Sequence, residues 1–268
     1  MELTVNGARV CAATGGRPFD ARTPVLIFLH GAGMDHTCWQ LPARWFAWHG
    51  FSVLAVDLPA HGQSAGPQIG SIGDLARWVG DLMDALGIAR AGLIGHSMGG
   101  AIALEATARL NDRVTSLALL GTAAAVPVNE QLLSAARDHP QDAYQMMTAW
   151  ALRPTAKIGR NPAPGMWMTR ATLALFDRNT PGILHRDLAL CDDWSTGPEA
   201  AKRVTCPTLV VTGKQDVMTP PRNGEKLAQA VAGSTTITLD NCGHMMMSEA
   251  PDALLDALKG FFVPRLSR

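Results

Sequence analysis

The stretch Leu93-Ile94-Gly95-His96-Ser97-Met98-Gly99-Gly100 decides how the rest of the chain is read. Apolar residues run like the end of a strand into a serine flanked by glycines, and Ala101-Ile102-Ala103-Leu104-Glu105-Ala106 continues as a helix former. Gly-x-Ser-x-Gly between a strand and a helix is the setting in which a serine is turned out on a tight, strained corner. Gly95 and Gly99 supply the smallness that such a corner needs, and Gly100 lets the new helix lie close to the sheet. The corner exposes the Ser97 hydroxyl. It also leaves the Met98 amide at a helix N-terminus, where partial positive charge favours an anion. The plain alternative is a glycine-rich turn that merely contains a serine, so the remaining chain must supply the partners of a nucleophile.

Outward from this stretch, continuous apolar runs alternate with helical patterns. Val25–Leu29, Phe51–Val56, Val114–Leu120, Pro207–Thr212 and Thr235–Leu239 read as strands, the apolar ones as strands buried on both faces. Residues 1–23 read as one or two short strands around Asn6-Gly7, and Cys38–Trp48 as a helix ended by Gly50. Ser71 and Asp74 form a capping-box start for a helix whose stripe is Ile72, Leu75, Val79, Leu82 and Leu86. Alternation of this kind gives an α/β fold with a mostly parallel sheet covered on both faces. From about Pro127 the strand-like runs stop, and helical stretches at Gln131–Arg137, Asp142–Leu152 and Met166–Phe176 replace them until about 200. Segment 127–200 is therefore expected to be a helical insertion, a cap, into one core domain built from 1–126 and 201–268. Pro251–Phe262 reads as the closing helix.

Composition narrows the classes. The 268 residues carry 23 basic and 23 acidic side chains, scattered apart from a modest Arg265/Arg268 tail, so no footprint for nucleic acid or an anionic membrane exists. Five cysteines, widely spaced and without a C-x-x-C pair, fit neither a disulfide framework nor a zinc site and point to a reducing compartment. The start lacks a basic segment and an apolar core, and no apolar run is long enough to span a bilayer. The expectation is a cytoplasmic protein that meets a small-molecule substrate, binds no metal and inserts in no membrane. Monomer and homodimer both stay open.

A serine nucleophile needs a base, an acid that orients the base, and donors for an oxyanion. In doubly wound sheets these gather just beyond the carboxyl ends of strands. Of eight histidines, His244 lies in Asp240-Asn241-Cys242-Gly243-His244, a flexible loop between the last strand and the last helix, from which it reaches Ser97. Asp216 follows the strand ending at Thr212, whereas Asp240 sits too near His244 in sequence and Asp57 is better placed to fix its own loop. The order Ser97, Asp216, His244 is the one expected on this topology. His30-Gly31-Ala32-Gly33 follows the first buried strand, so Ala32 N–H joins Met98 N–H as the oxyanion pair, with His30 structural. A dinucleotide site in this loop is disfavoured, because His36 stands where the third glycine is needed.

Together, His30-Gly31, Asp57-Leu58-Pro59-Ala60-His61-Gly62-Gln63-Ser64, Gly95-His96-Ser97-Met98-Gly99-Gly100, Asp216, Gly243-His244 and Glu249-Ala250-Pro251 resemble the α/β-hydrolases over nearly the whole chain. The resemblance implies an eight-stranded, mostly parallel sheet flanked by helices, an inserted cap, a Ser-His-Asp triad, acyl-enzyme chemistry and no cofactor. Serine at the elbow disfavours the dehalogenase and epoxide hydrolase branches, which use aspartate there. Carbon–carbon hydrolases of ring-cleavage pathways often show Gly-Asn-Ser and a tryptophan after the histidine; here Gly-His-Ser and Met245-Met246-Met247 stand instead. The closer similarity is to small bacterial carboxylesterases, with the carbon–carbon hydrolase and a binding protein of hydrolase fold as alternatives. Ten of 12 methionines fall in loops beside the site or in the insertion, and methionine suits adaptable apolar surfaces. Met34, Met147, Trp150, Trp167, Met218 and Met245 are the expected pocket residues. An anchor for a substrate carboxylate could come from Arg153, Arg160, Arg170 or Arg178, with nothing to select among them.

Overall fold

The computed structural model describes residues 1–160, 162 and 165–265; Arg268, one of the two tail arginines, lies outside them. Eight strands form one sheet in the order β1-β2-β4-β3-β5-β6-β7-β8. They are β1 (Glu2–Val5), β2 (Ala8–Ala13), β3 (Val25–Leu29), β4 (Ser52–Val56), β5 (Ala91–His96), β6 (Val114–Leu120), β7 (Thr208–Gly213) and β8 (Thr235–Leu239). β1 and β2 are an antiparallel hairpin. Its turn, Asn6-Gly7, has φ of +50° and +79°, the left-handed pair that matches the twist of flanking strands. β2 pairs antiparallel with β4, and every pairing from β4 onward is parallel. β3, β4, β5 and β7 are buried at every residue, as their unbroken apolar runs predict. β8, an edge strand, differs most from its apolar neighbours and exposes Thr235, Thr236 and Thr238.

The helices are α1 (Gln40–Ala47), α2 (Ile72–Ala85), α3 (Met98–Leu110), α4 (Glu130–Asp138), α5 (Pro140–Ala151), α6 (Pro154–Lys157), α7 (Met168–Asp177), α8 (Ile183–Asp192), α9 (Gly197–Lys202), α10 (Pro221–Ala230), α11 (Met246–Glu249) and α12 (Pro251–Phe262). Ser71 caps α2 by accepting the Asp74 amide at 3.0 Å. Phe46 of α1 meets Phe262 of α12 with ring centroids 5.9 Å apart. Between β6 and β7 the described residues form helices and no strand, and the three helices expected there are present as α4, α5 and α7. The pattern missed α8, whose buried face includes the carboxylate of Asp187, and α9, a six-residue helix beginning at Gly197-Pro198. α9 packs on the core helix α3: Arg203, its C-cap, donates to the Ala108 carbonyl, and Thr196 and Trp194 reach Glu105. No helix among the described residues is long and apolar enough to cross a membrane.

Candidate active site

Ser97 occupies the corner between β5 and α3 with φ +53° and ψ −119°, a conformation that non-glycine residues rarely adopt. The surrounding glycines make the corner sterically possible. A Cβ on Gly95 would lie 2.1 Å from the Gly99 carbonyl oxygen, and one on Gly99 would lie 2.2 Å from that of Leu29. Ser97 N–H donates to the Leu120 carbonyl at 2.9 Å, which ties the corner to the next strand. Met98 N–H is at the first position of α3, where no intrahelical acceptor exists.

His244 Nδ1 and Asp216 Oδ2 are 2.7 Å apart, both side chains almost wholly buried. Asp216 is held in turn by the amides of Met218 and Thr219, both donating to Oδ1. The sequence places His244 on a flexible loop, but the structure fixes it closely. Its amide donates to the Ala151 carbonyl at the end of α5, and its carbonyl accepts from His96 Nε2 at 2.8 Å. Glu249 completes the clamp by accepting the Gly243 amide at 3.2 Å and the Arg153 amide at 3.0 Å, with the Arg153 Nε 3.6 Å away. Burial pushes the Glu249 carboxyl above its ordinary range against these donors. His96 is not a second base: burial first and the neighbouring His244 second hold it down at about 3, so it stays a neutral ring donating through Nε2.

In the His30–Gly33 loop, Leu58 N–H donates to His30 Nε2 at 3.1 Å, which leaves the proton on Nδ1, 2.9 Å from the Gly31 carbonyl. Burial and the adjacent His61 keep His30 neutral, down at about 4. Because a trans peptide points its C=O and N–H in opposite directions, this bond to Gly31 aims the Ala32 N–H the other way. The structural role expected of His30 thus has a geometric form. Asp57 also behaves as read: it holds its own loop through the amides of His36 and Gln63.

Ala32, Ser97 and His244 open on one cavity of about 480 Å³, shared with Val126, Leu132, Met147, Trp150, Leu188, Val217 and Met218. Among the described residues lining it none is Lys, Arg, Asp or Glu. Of the expected pocket residues, Met147, Trp150 and Met218 line this space, and three do not. Met34 is buried beneath Gly31, its sulfur 3.1 Å from where a Gly31 Cβ would be. Met245 lines a separate groove on the other side of its loop, with Met168 and Leu175. Trp167 is 63% exposed at the surface. Arg153 and Arg178 serve structure instead, the latter donating twice to Asp35.

A metal-type cluster that the sequence reading does not anticipate is present: ligand atoms of Cys11, His36 and Asp57 lie within 4.8 Å of one another. Asp57 Oδ1 already accepts from His36 N and faces His36 Nδ1 at 2.7 Å, and Oδ2 accepts from Gln63 N. A metal would have to displace these bonds. Burial opposes the Asp57 charge, but the His36 bonds outweigh it and leave its pKa lowered, with that of His36 raised. The cluster is read as a loop anchor.

Residues 26–257 match the model of the alpha/beta hydrolase family, and the chain belongs to that family. It is 31% identical over 242 residues to a pimeloyl-[acyl-carrier protein] methyl ester esterase of Neisseria meningitidis, covering 82% of this chain and 86% of that one. It is 28% identical over 254 residues to a 2-hydroxy-6-oxononadienedioate/2-hydroxy-6-oxononatrienedioate hydrolase of Klebsiella pneumoniae, covering 88% and 86%. The enol-lactonase of Burkholderia xenovorans superposes with a TM-score of 0.86 at 25% identity, over 98% of this chain and all of that one. The chain is thus a hydrolase with both esterase and carbon–carbon hydrolase relatives.

Proposed function

We propose that the protein is a serine hydrolase that cleaves carboxylic esters of small or mid-sized, mostly apolar acyl groups. Ser97 attacks the carbonyl carbon; His244 takes the hydroxyl proton and returns it to the leaving alcohol; Asp216 holds the imidazole tautomer and steadies its charge. The amides of Ala32 and Met98 receive the developing oxyanion. Water, activated by the same imidazole, then releases the acid and regenerates Ser97. The reaction needs no cofactor.

The observation that carries this reading is the largely apolar cavity over Ser97, whose described lining places His244, paired with Asp216, among residues none of which is Lys, Arg, Asp or Glu. That wall also favours an ester over the carbon–carbon alternative. The Klebsiella relative's substrate is by name a dicarboxylate, and the described lining offers no cation to receive one. A p-nitrophenyl ester series from acetate to decanoate, set beside ring-fission dienoates, tests it. Ester turnover that exceeds dienoate turnover and vanishes in Ser97→Ala is expected. Faster dienoate turnover, or wild-type rates from Ser97→Ala, would overturn it.

A further inference from the structure

The cap is bonded to the core at the very loop that carries the Ala32 amide. Asp187, on α8 and 2% exposed, accepts the Gly33 amide at 2.7 Å and faces His61 Nε2 at 2.8 Å, both through Oδ2. The other His61 nitrogen lies 3.0 Å from the Pro59 carbonyl. Both nitrogens of this ring thus face oxygens, and the charge of Asp187 draws the His61 pKa upward against burial. Asn179, just beyond α7, donates to the carbonyls of Gly33 and Met34 at 2.9 and 3.2 Å and accepts the Gly62 amide at 2.9 Å. Gly33 has φ +64°, and a Cβ there would come within 2.9 Å of Leu184 and 3.1 Å of Phe176, so cap side chains lie directly on it. Both polar groups of Gly33 are thus bonded to the cap, while His30 holds the Gly31 carbonyl from the core side. The Ala32 amide sits between these two clamps.

We propose that Asp187 and Asn179 are positioning residues for the oxyanion donor of Ala32, so that the hole is complete only while the cap is latched to the core. The inference rests on the reading of Ser97 as nucleophile and Ala32 as donor. It goes beyond it by assigning part of the rate, and not only substrate choice, to the cap.

The test is the rate at which a fluorophosphonate probe labels Ser97, resolved into kinact and KI, since the phosphonyl oxygen uses the same hole whatever the natural substrate. Asp187→Ala is expected to lower kinact at least about tenfold with KI within about threefold, a misplaced donor costing less than an absent one. Asp187→Asn, whose amide oxygen still accepts the Gly33 N–H, is expected to recover to within about threefold of wild type. Asn179→Ala leaves the His61–Asp187 pair intact and is expected to lower kinact about threefold or more; it decides the matter if Asp187→Ala fails to fold by near-ultraviolet circular dichroism. Unchanged kinact with raised KI in these variants would overturn the inference and leave the two residues as pocket supports. Absence of labelling at Ser97 in the wild type would overturn the nucleophile reading, and this inference with it.

Discussion

The two sides of the proposed site, the sheet side and the side facing the helices of 127–200, are built by different means. On the core side, the groups proposed to react or donate are placed mostly by near neighbours in sequence, His244 excepted, whose amide and carbonyl bond to Ala151 and His96. Ser97 sits on a corner that Gly95 and Gly99 alone permit, Asp216 is fixed by amides two and three residues on, and His30 sets the peptide beside it. On the side facing 127–200 the bonds that reach the site are mostly long-range. Asp187 meets Gly33 across 154 positions, Asn179 meets Gly62 across 117, and Glu249 joins Arg153 to the His244 loop across 96. On the proposed reading, near neighbours supply most of the chemistry, and long-range buried polar bonds set how the proposed cap covers it.

Breaking the core side should have the larger effects. Asp216→Asn keeps the shape but loses the charge that steadies the His244 imidazolium, and is expected to lower kcat on p-nitrophenyl butyrate about 10⁴-fold; a loss under tenfold would detach Asp216 from the chemistry. Gly99→Ala drives a methyl group to 2.2 Å from the Leu29 carbonyl oxygen. It should cost about 3 kcal/mol or more in urea denaturation, and full stability would contradict the tight corner.

The histidines give a comparison by pH. His96 is held down at about 3, whereas in the unfolded chain it titrates near 6.5. Its native form is therefore neutral while the unfolded chain takes up the proton. This contribution to stability is complete above about pH 6.5 and is lost as pH falls toward 3, by up to about 1.4 kcal/mol per pH unit. His30, down at about 4, acts in the same direction. His36 and His61 are raised, chiefly by the His36 bond to Asp57 and, against burial, by the charge of Asp187 at His61. Their stabilisation is complete below about pH 6.5 and is lost as pH rises through their folded values. The variant His96→Gln should lose stability less steeply than wild type between pH 6.5 and 5; parallel slopes in urea titrations would contradict the assignment.

The cap walls should give the smallest effects and sharpen the comparison. Trp150→Ala enlarges the cavity and is expected to shift the preferred ester chain length by one to three carbons, with kcat/KM for the best ester changed by less than about tenfold. Trp167→Ala, on the cap surface, should leave kcat/KM within about twofold. Equal shifts from both would show that the cavity is not the acyl pocket.

What the sequence discloses divides along the same line. The sheet, the serine corner and the pairing of Asp216 with His244 are legible because an apolar strand, its end and the residue just beyond it follow one another in the chain. The bonds from 127–200 to the site are not, because Asn179 and Arg153 meet Gly62 and Glu249 only when distant segments come together. Asp187 did leave a trace: Leu184, Asp187, Leu188 and Cys191 share one helical stripe, and all four are buried. A carboxylate on such a face needs a partner. The methionines misled for the opposite reason. Met34 and Met245 are beside the site in sequence, but their side chains point into other spaces.

The central claim, that Ser97 forms an acyl-enzyme within this neutral cavity, is tested most directly by acid-quenching the protein during steady turnover of p-nitrophenyl butyrate and mapping the acyl group by mass spectrometry. A butyryl group on the Ser97 peptide of the wild type, with neither adduct nor turnover in Ser97→Ala, is the predicted result. Undiminished turnover by Ser97→Ala, or an adduct on another residue, would contradict it.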